Sequence, residues 1–284
     1  MQAEGPSQPN WYLDPLVAAQ KRIVHLQWIA RNVPAGSQIQ TLLKTDLFEE
    51  AYGQDELLFS LPFEADLKIG FDIDAATVAR AACRDRWSSC RFVQADVLRL
   101  PLEDGSVDVA LSNSTLDHFG SVREIEDSLL ELTRVLKPGG TLLVTLDNPR
   151  NLLFLMFRAA AGWIGLSFSL GKTLPLHKLL SSLERAGLEV QSTDWLIHNP
   201  RFVSTLVFLG LRRILGARAD GTILWLLAAF SKLSNLPTRA FTGVFVAACA
   251  RKPATGRDVS GNMKFSPQTC SVSRQPVNHM ESAW

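Results

Sequence analysis

Short apolar runs alternate with amphipathic stretches along the first half of the chain. The runs are typical of β-strands buried on both faces, and they are predicted at 39–43, 67–71, 91–94, 107–111 and 141–146. Amphipathic helices are predicted between them at 75–86 and 122–136. Strands that alternate with helices at this spacing pair in parallel through right-handed crossovers. The predicted fold class is therefore α/β, with a doubly wound, mostly parallel sheet.

Local signals around these elements predict a leading helix, a turn and two tails. Apolar residues at helical spacing over 15–31, with Asp14 as N-cap, predict a helix ahead of the sheet. The Lys-Pro-Gly-Gly segment at 137–140 is predicted to close the second helix and to be structural. The polar segments 1–10 and 253–284 are predicted to be disordered.

The composition is that of a soluble protein whose charge is unevenly spread. Apolar residues make up 46% of the chain, too few for a multi-span membrane protein. The net charge of +1 combines −8 over residues 1–150 with +6 over residues 151–250, so the two halves are expected to meet different partners. No signal peptide and no metal-ligand spacing is visible, which predicts a cytoplasmic protein without a metal site. Reduced thiols are predicted for Cys83, Cys90, Cys249 and Cys270.

Polar residues follow the predicted strands where a doubly wound sheet binds its ligands, at the carboxyl ends. Asp72 comes directly after the second strand, and its carboxylate can accept hydrogen bonds from both hydroxyls of a ribose. The alternative is a helix N-cap, a role for which Asp74 competes. Asp96 follows the third strand, and Ser112 and Asn113 end the fourth.

Residues 66–147 resemble the class I S-adenosylmethionine-dependent methyltransferases, in particular the small-molecule branch that includes the quinone-biosynthesis enzymes. The resemblance implies a Rossmann-like sheet of seven strands, S-adenosylmethionine as cofactor, and methyl transfer as the activity. It rests on motifs in the family's order: Ile69-Gly70-Phe71-Asp72, Ala95-Asp96-Val97, Leu111-Ser112-Asn113 with Leu116-Asp117-His118-Phe119, and Leu136-Lys137-Pro138-Gly139-Gly140.

The resemblance also implies the contacts of the cofactor. Asp72 would bind the ribose, and Asp96 with the amide of Val97 would bind the adenine. The end of the fourth strand would line the cleft near the sulfonium. The implied cofactor-binding residues are Asp72, Ile73, Asp96, Val97, Ser112 and Asn113.

The chain departs from the family after the first strand. The family places a Gly-x-Gly-x-Gly loop there, whereas the stretch 42–53 contains only Gly53. Three explanations remain: a rewired loop, a site for a different nucleoside, or a domain that has lost its ligand. In the rewired loop, Asp46 binds the cofactor's ammonium while Lys44 or Thr45 binds its carboxylate. The polar cluster at this strand end favours that explanation, and the missing glycines count against a dinucleotide-binding oxidoreductase.

Catalysis of methyl transfer needs mostly in-line positioning, and an oxygen nucleophile would also need a general base. His118, after the fourth strand, is the catalytic candidate. The alternative is a histidine at a helix start that makes one structural hydrogen bond. His177 and His198 are weaker candidates.

The second half resembles the end of the methyltransferase sheet, interrupted by an insertion. The predicted organisation is a core with its leading helix at 11–195, a helical lid at 196–240 and a last strand at 241–252. An ordinary lid with its apolar stripe on the core is the favoured interpretation. The alternative is a lid that opens onto a lipid-like or anionic acceptor, or rests on a membrane surface. The stripe is Val203, Leu206, Val207, Leu211, Ile214 and Leu215, flanked by Arg212, Arg213 and Arg218.

The predicted partner is therefore a small or lipid-like acceptor, without nucleic acid, because the arginines lie among aliphatic residues and no nucleic-acid motif is present. A non-catalytic relative of the same fold, acting as a binding or membrane-peripheral protein, remains the alternative function.

Overall fold

Within the part of the chain that the structure describes, seven strands form one sheet in the order β3-β2-β1-β4-β5-β7-β6. All neighbours up to β5 pair in parallel, and β7 runs antiparallel to both β5 and β6. This computed structural model thus confirms the predicted doubly wound, mostly parallel α/β sheet. The strands are β1 Thr41–Thr45, β2 Leu67–Asp72, β3 Cys90–Gln94, β4 Val107–Asn113, β5 Leu136–Asp147, β6 Glu189–Leu196 and β7 Phe245–Arg251.

The structure describes residues 14–33, 36–53, 55–85, 90–152, 155–156, 171–199 and 201–254, with the backbone alone at 201–203 and 205. The predicted disordered tail 1–10 lies outside these residues, as does the predicted tail from 255 onward. The helices are α1 Pro15–Asn32, α2 Phe48–Tyr52, α3 Ala75–Arg84, α4 Val122–Val135, α5 Leu176–Arg185, α6 Arg201–Leu215, α7 Ala219–Ser231 and α8 Arg239–Thr242.

Helices cover both faces of the sheet. Consecutive strand residues point to opposite sides, so each face carries apolar side chains that the helices bury. Leu43 of β1 belongs to the core beneath α4 and α5, together with Leu129. Leu42 belongs to the opposite core, beneath α1 and α3, together with Trp28. All four side chains are at most 1% exposed. The sheet is therefore buried on both faces, which the continuous apolar strands predict.

Side-chain caps fix where α1 and α4 start. Asp14 accepts a hydrogen bond from the amide of Leu16, at 2.9 Å, and Pro15 occupies the first turn of α1. Ser121 and Glu124 form a reciprocal capping box at the start of α4. These are the side chains that satisfy helix N-termini, so both starts can be seen in the sequence.

Among the five predicted strands, β1 and β5 differ most from the prediction in where they begin. β1 begins at Thr41, two residues later than the predicted strand. The segment 137–140, predicted as a turn after the helix, forms the first part of β5 instead. There the register against β4 shifts between Val107 and Val109, and Gly139 adopts φ +81°. The glycine supplies the left-handed conformation as predicted, but inside an irregular strand rather than ahead of it.

Helices α6 and α7, joined by a 3-10 turn at 216–218, form a pair that we call the lid hairpin. Its inward side packs on α1, where Phe208, Ile223 and Leu227 join Val17 in a separate apolar cluster. Of the predicted stripe, Leu211 packs on this cluster. Four other members face outward: Leu206, Val207, Ile214 and Leu215 are 67, 45, 80 and 42% exposed. The favoured interpretation of the lid is thus wrong for these four residues, because the buried anchor of α6 is Phe208.

Candidate functional site

The carboxyl ends of the first strands place the predicted residues in a row. Thr45 at the end of β1 lies opposite Phe71 on one side and Ser112 on the other. Asp72 lies opposite Gln94, the last residue of β3. The residues that follow these ends, including Asp46 and Asp96, therefore share one edge of the sheet. This is the edge at which doubly wound sheets bind their ligands.

The loop after β1 turns through Asp46, whose φ is +65°. This left-handed conformation is ordinary for glycine and tolerated by aspartate, whose carboxylate here accepts a hydrogen bond from the amide of Phe48 at 2.7 Å. Burial raises the pKa of Asp46 to about 6, against the opposing charge of Lys44. Asp46 thus gives the loop a backbone conformation typical of glycine and places a titratable carboxylate at this edge of the sheet.

Leu47 anchors this loop to β2. Its side chain is fully buried, and a Cβ atom on Gly70 would lie 2.5 Å from its Cδ2. Its amide donates to Oδ2 of Asp72 at 2.9 Å. The absence of a side chain at Gly70 is therefore what lets the loop pack against the sheet. The sequence gives no local sign of this contact, which is tertiary.

Asp72 is the predicted ribose ligand, and both of its oxygens already accept one hydrogen bond. Oδ2 accepts from Leu47, and Oδ1 accepts from the amide of Asp74 at 2.9 Å. Asp74, not Asp72, is the N-cap of α3 and accepts from Thr77. Each carboxylate oxygen has two lone pairs, so Asp72 retains the capacity to accept two hydroxyls.

The residues next to Asp72 and Asp96 differ in exposure. Ile73 is 68% exposed beside the Asp72 carboxylate, whereas Val97 is buried. Asp96 is partly buried, and its Oδ1 accepts from the amide of Leu98 at 2.9 Å, which fixes the loop after β3. A flat ligand group over this edge would meet an apolar side chain and two carboxylates.

The predicted residues at the ends of β1 and β4 are buried. Thr45 Oγ1 lies 2.9 Å from Thr115 Oγ1, and Asn113 bonds to Glu49 and to Thr145. Ser112 is fully buried, and its hydroxyl has no partner within the described residues. These side chains lie beneath the edge rather than on it. Among them, Ser112 has a hydroxyl that makes no hydrogen bond within the described residues.

Lys44 belongs to a buried ion network that the sequence analysis missed. Its Nζ lies 2.8 Å from Glu50 and 3.6 Å from Glu49, and it donates to the carbonyl of Asp46 at 2.5 Å. Burial opposes the charge on Lys44, but the two glutamates outweigh it and its pKa lies above the usual range. A cofactor carboxylate would have to compete with Glu50 for this ammonium, so the predicted role of Lys44 stays a prediction.

The network extends to α1. Lys21 bridges Glu49 and Asp55 at 2.6 and 2.5 Å. Burial alone would raise the pKa of Glu49, but Lys21 and Lys44 lower it to about 2. Burial lowers the pKa of His25, which lies beside them, to about 4. Charged residues are rarely fully buried, which is why sequence patterns gave no signal for this cluster.

His118 ends a short 3-10 turn after β4 and is exposed, while Asp117 beside it is buried. Asp117 accepts from Ser114 Oγ and from the amide of Asp147, at 3.0 and 2.7 Å, and so ties the β4 loop to the end of β5. His177 is also exposed, on α5. Asp117 is thus a positioning residue that sets where His118 stands.

A pocket of about 310 Å³ lies at the carboxyl end of β6, between α1 and the lid hairpin. Its walls include Gln20, Trp195, His198 and Phe230. Both ring nitrogens of His198 are engaged, with Thr242 Oγ1 at 2.8 Å and the carbonyl of Trp195 at 3.1 Å, and burial lowers its pKa. His198 therefore contributes a fixed, neutral ring to this pocket. No group of three or more metal-ligating side chains is close enough to hold a metal ion in the described ranges.

Residues 56–144, from the segment before β2 to β5, match the family model described as a methyltransferase domain. Over this segment the chain is therefore similar to a methyltransferase domain. This family implies S-adenosylmethionine as its cofactor. The matched residues include Asp72 and Asp96, while β1 and its loop, with Lys44 and Asp46, lie outside the match.

A curated relative is similar to part of the chain. A protein of Mycolicibacterium smegmatis named "Probable S-adenosylmethionine-dependent methyltransferase" is 31% identical over 140 residues, 46% of each chain. The match therefore spans just under half the length of that curated relative.

Two solved structures show the fold of the methyltransferase domain. The [4+2]-cyclase SpnF has a TM-score of 0.53 and 20% identity, covering 88% of this chain and 85% of its own. An S-adenosylmethionine-dependent methyltransferase from Mesorhizobium loti has a TM-score of 0.51 and 16% identity, covering 82% and 98%. Since one of the two is named as a cyclase, the fold alone does not determine the chemistry.

Proposed function

We propose that the protein is an S-adenosylmethionine-dependent methyltransferase that acts on a small, apolar or lipid-linked acceptor in the cytoplasm. The observation that carries the proposal is the row of three carboxylates, Asp46, Asp72 and Asp96, at adjacent strand ends of the methyltransferase domain. The free thiols of Cys83 and Cys249 are in keeping with a reducing compartment.

The residues present fit the cofactor. Asp72 keeps two free lone pairs for ribose hydroxyls, and Asp96 with the Val97 amide would hold the adenine edge. Asp46 is ionised above about pH 6 and would hold the ammonium group. The buried, unpartnered hydroxyl of Ser112 is an orphaned donor beneath the same edge. When bound, S-adenosylmethionine supplies an electrophilic methyl group on a sulfonium.

The chain's own contribution is to bind, orient and exclude water. Asp117 holds the β4 loop, which presents His118 on the same side as the strand ends. An oxygen acceptor loses its proton when it takes up the methyl group, and in this proposal His118 receives that proton. The exposed apolar side chains of the lid support an apolar or lipid-linked acceptor. Contact of the lid with a membrane surface is part of the same proposal, because such acceptors reside there.

A transfer assay tests the activity. The protein is incubated with cofactor labelled in the methyl group and with a lipid extract or a water-soluble extract as acceptor. The proposal expects label in the organic phase from the lipid extract. His118→Ala should lower the rate about 100-fold with cofactor affinity unchanged, and His177→Ala, the exposed control on α5, should not. Label only in water-soluble products would contradict the acceptor class.

The alternative is a non-catalytic binding protein of the same fold. The observation in its favour is the closure of the first loop by Leu47, whose side chain packs on Gly70 and whose amide occupies one lone pair of Asp72. A folded protein that binds no S-adenosylmethionine would overturn the proposed activity and favour this alternative.

A further inference from the structure

The outer faces of α6 and α7 are apolar and exposed. Ile214 is 80% exposed, Trp225 68%, Leu206 67% and Leu224 52%. Single exposed apolar residues are common on protein surfaces, but a group of this size on one helix pair marks an interaction surface. The surface is not part of the row of strand ends described above.

The lid hairpin passes the composition test for a membrane span but does not have the shape of one. The most apolar 18-residue window of the run Leu206–Asn235 has a mean hydropathy of 1.3, and 17% of that window is buried. Gly216, with φ +56°, breaks this run. Phe208 shares a cluster with Leu227, although the two would stand about 28 Å apart in a straight helix. The chain therefore folds back, and each arm, about 20–22 Å long, is too short for the roughly 30 Å hydrocarbon core.

Arg212 holds the inward side of the hairpin on the body. Its guanidinium pairs with Asp14, the N-cap of α1, and with Asp220 at the start of α7, the latter at 2.8 Å. Arg212 and Phe208 thus face α1, while Ile214 and Trp225 face outward. The outer surface is consequently presented by a fixed element.

The charge around this surface has one sign. Residues 201–242 contain six basic residues and one acid, which gives +5, and the acid, Asp220, is already paired with Arg212. Arg213, Arg218 and Lys232 are exposed. Basic side chains that border an exposed apolar helix face, together with a tryptophan, are complementary to an anionic lipid surface.

We propose that the lid hairpin docks in the plane of an anionic membrane. Leu206, Ile214 and Trp225 enter the boundary between headgroups and acyl chains, while the exposed basic residues contact lipid phosphates. Docking would bring the protein to a lipid-linked acceptor, and this part of the inference rests on the proposed function. Docking itself needs no methyl transfer.

Sedimentation with vesicles tests the docking, using the full chain without cofactor. Vesicles of phosphatidylcholine alone are compared with vesicles that also contain 30% phosphatidylglycerol. The proposal expects binding that is at least 10-fold tighter to the anionic vesicles and that weakens with salt. Ile214→Ser/Trp225→Ser should lower binding at least 10-fold, whereas Leu130→Ser, 51% exposed on α4, should not. Arg213→Glu/Arg218→Glu should remove the preference for anionic lipid, and Arg123→Glu on α4 should retain it.

Each contrary outcome is distinct. Absence of binding to both vesicles overturns the proposal, as does binding that ignores the Ile214 and Trp225 changes. If light scattering shows a dimer that Trp225→Ser dissociates, the surface belongs to a second copy and the proposal is also overturned. Titration of S-adenosylmethionine into the same variants should give unchanged heats, so loss of docking and loss of the cofactor site are separable.

Discussion

The amide of Leu47 donates a hydrogen bond of 2.9 Å to the carboxylate of Asp72, which joins the loop after β1 to the end of β2. This bond fixes both partners at the proposed cofactor edge. It orients the Asp72 carboxylate, and it holds the loop in the position that a glycine-rich segment occupies in the family. The loop is therefore held by the packing of Leu47 and by its hydrogen bond to Asp72, whereas the family's loop depends on glycine residues.

Asp46 should destabilise the protein at neutral pH. Because its pKa in the fold is about 6, above the ordinary value of 3.8, the folded state resists ionisation, so the penalty is absent below about pH 4 and complete above pH 6. Asp46→Asn keeps an oxygen for the Phe48 amide and tolerates the positive φ. Urea unfolding should show the variant about 2 kcal/mol more stable at pH 8 and equal to wild type near pH 4. Asp66→Asn, an exposed acid at the start of β2, should show no such difference. A pH-independent effect of Asp46→Asn would contradict the account.

Lys44→Met should be strongly destabilising, because it leaves Glu50 buried without a counter-charge. We expect a loss of about 3–5 kcal/mol in chemical denaturation. The double variant Lys44→Met/Glu50→Gln should recover part of that loss, since glutamine can still accept from the amides of Leu57 and Leu58. A loss below about 1 kcal/mol for Lys44→Met would show that the ion pair is not structural.

His25 should contribute a loss of stability on acidification between pH 6.5 and 4, opposite in sign to the gain from Asp46 over the same range. Burial holds its pKa at about 4 in the fold against 6.5 in the unfolded chain, so the unfolded state binds a proton first. His25→Leu should remove this contribution, so that the stability of the variant relative to wild type rises by about 2–3 kcal/mol on acidification from pH 7 to pH 4. His177→Leu, at an exposed site, serves as the control. Below pH 4.5 a separate loss is expected, because Glu49 takes up a proton in the unfolded chain before it does so in the fold, where its pKa is about 2. An unchanged slope in His25→Leu would argue against a neutral buried ring.

Arg212 should hold the lid hairpin on α1. Arg212→Ala leaves Asp14 buried without its partner, and hydrogen exchange in α6 and α7 should rise about 10-fold or more while the sheet is unaffected. Arg213→Ala, one residue along and exposed, should leave the exchange rates unchanged. Equal protection of the hairpin in both variants would rule out this anchoring role.

The sequence predicts the sheet and the position of Asp72 because both depend on local signals. Apolar runs identify the strands, and the order of strands and helices identifies the parallel pairing. Asp74 competed with Asp72 for the cap in the sequence, and the structure gives the cap to Asp74. The family resemblance then follows from motifs between β2 and β5.

What the sequence could not predict depends on contacts between distant residues. The packing of Leu47 on Gly70 joins the loop after β1 to β2, and no local pattern encodes it. Lys44 and Glu50 look like surface charges until the fold buries them together. Several apolar residues of the lid hairpin could pack against the body. Phe208 is the one that is buried, because it contacts α1.

Calorimetric titration of S-adenosylmethionine into the purified protein tests the central claim most directly. The account predicts micromolar binding that is lost in Asp72→Ala, retained in Asp66→Ala at the other end of β2, and weaker at pH 5 than at pH 7.5 as Asp46 becomes protonated. The absence of heat from a protein shown to be folded, or equal binding by Asp72→Ala, would contradict it.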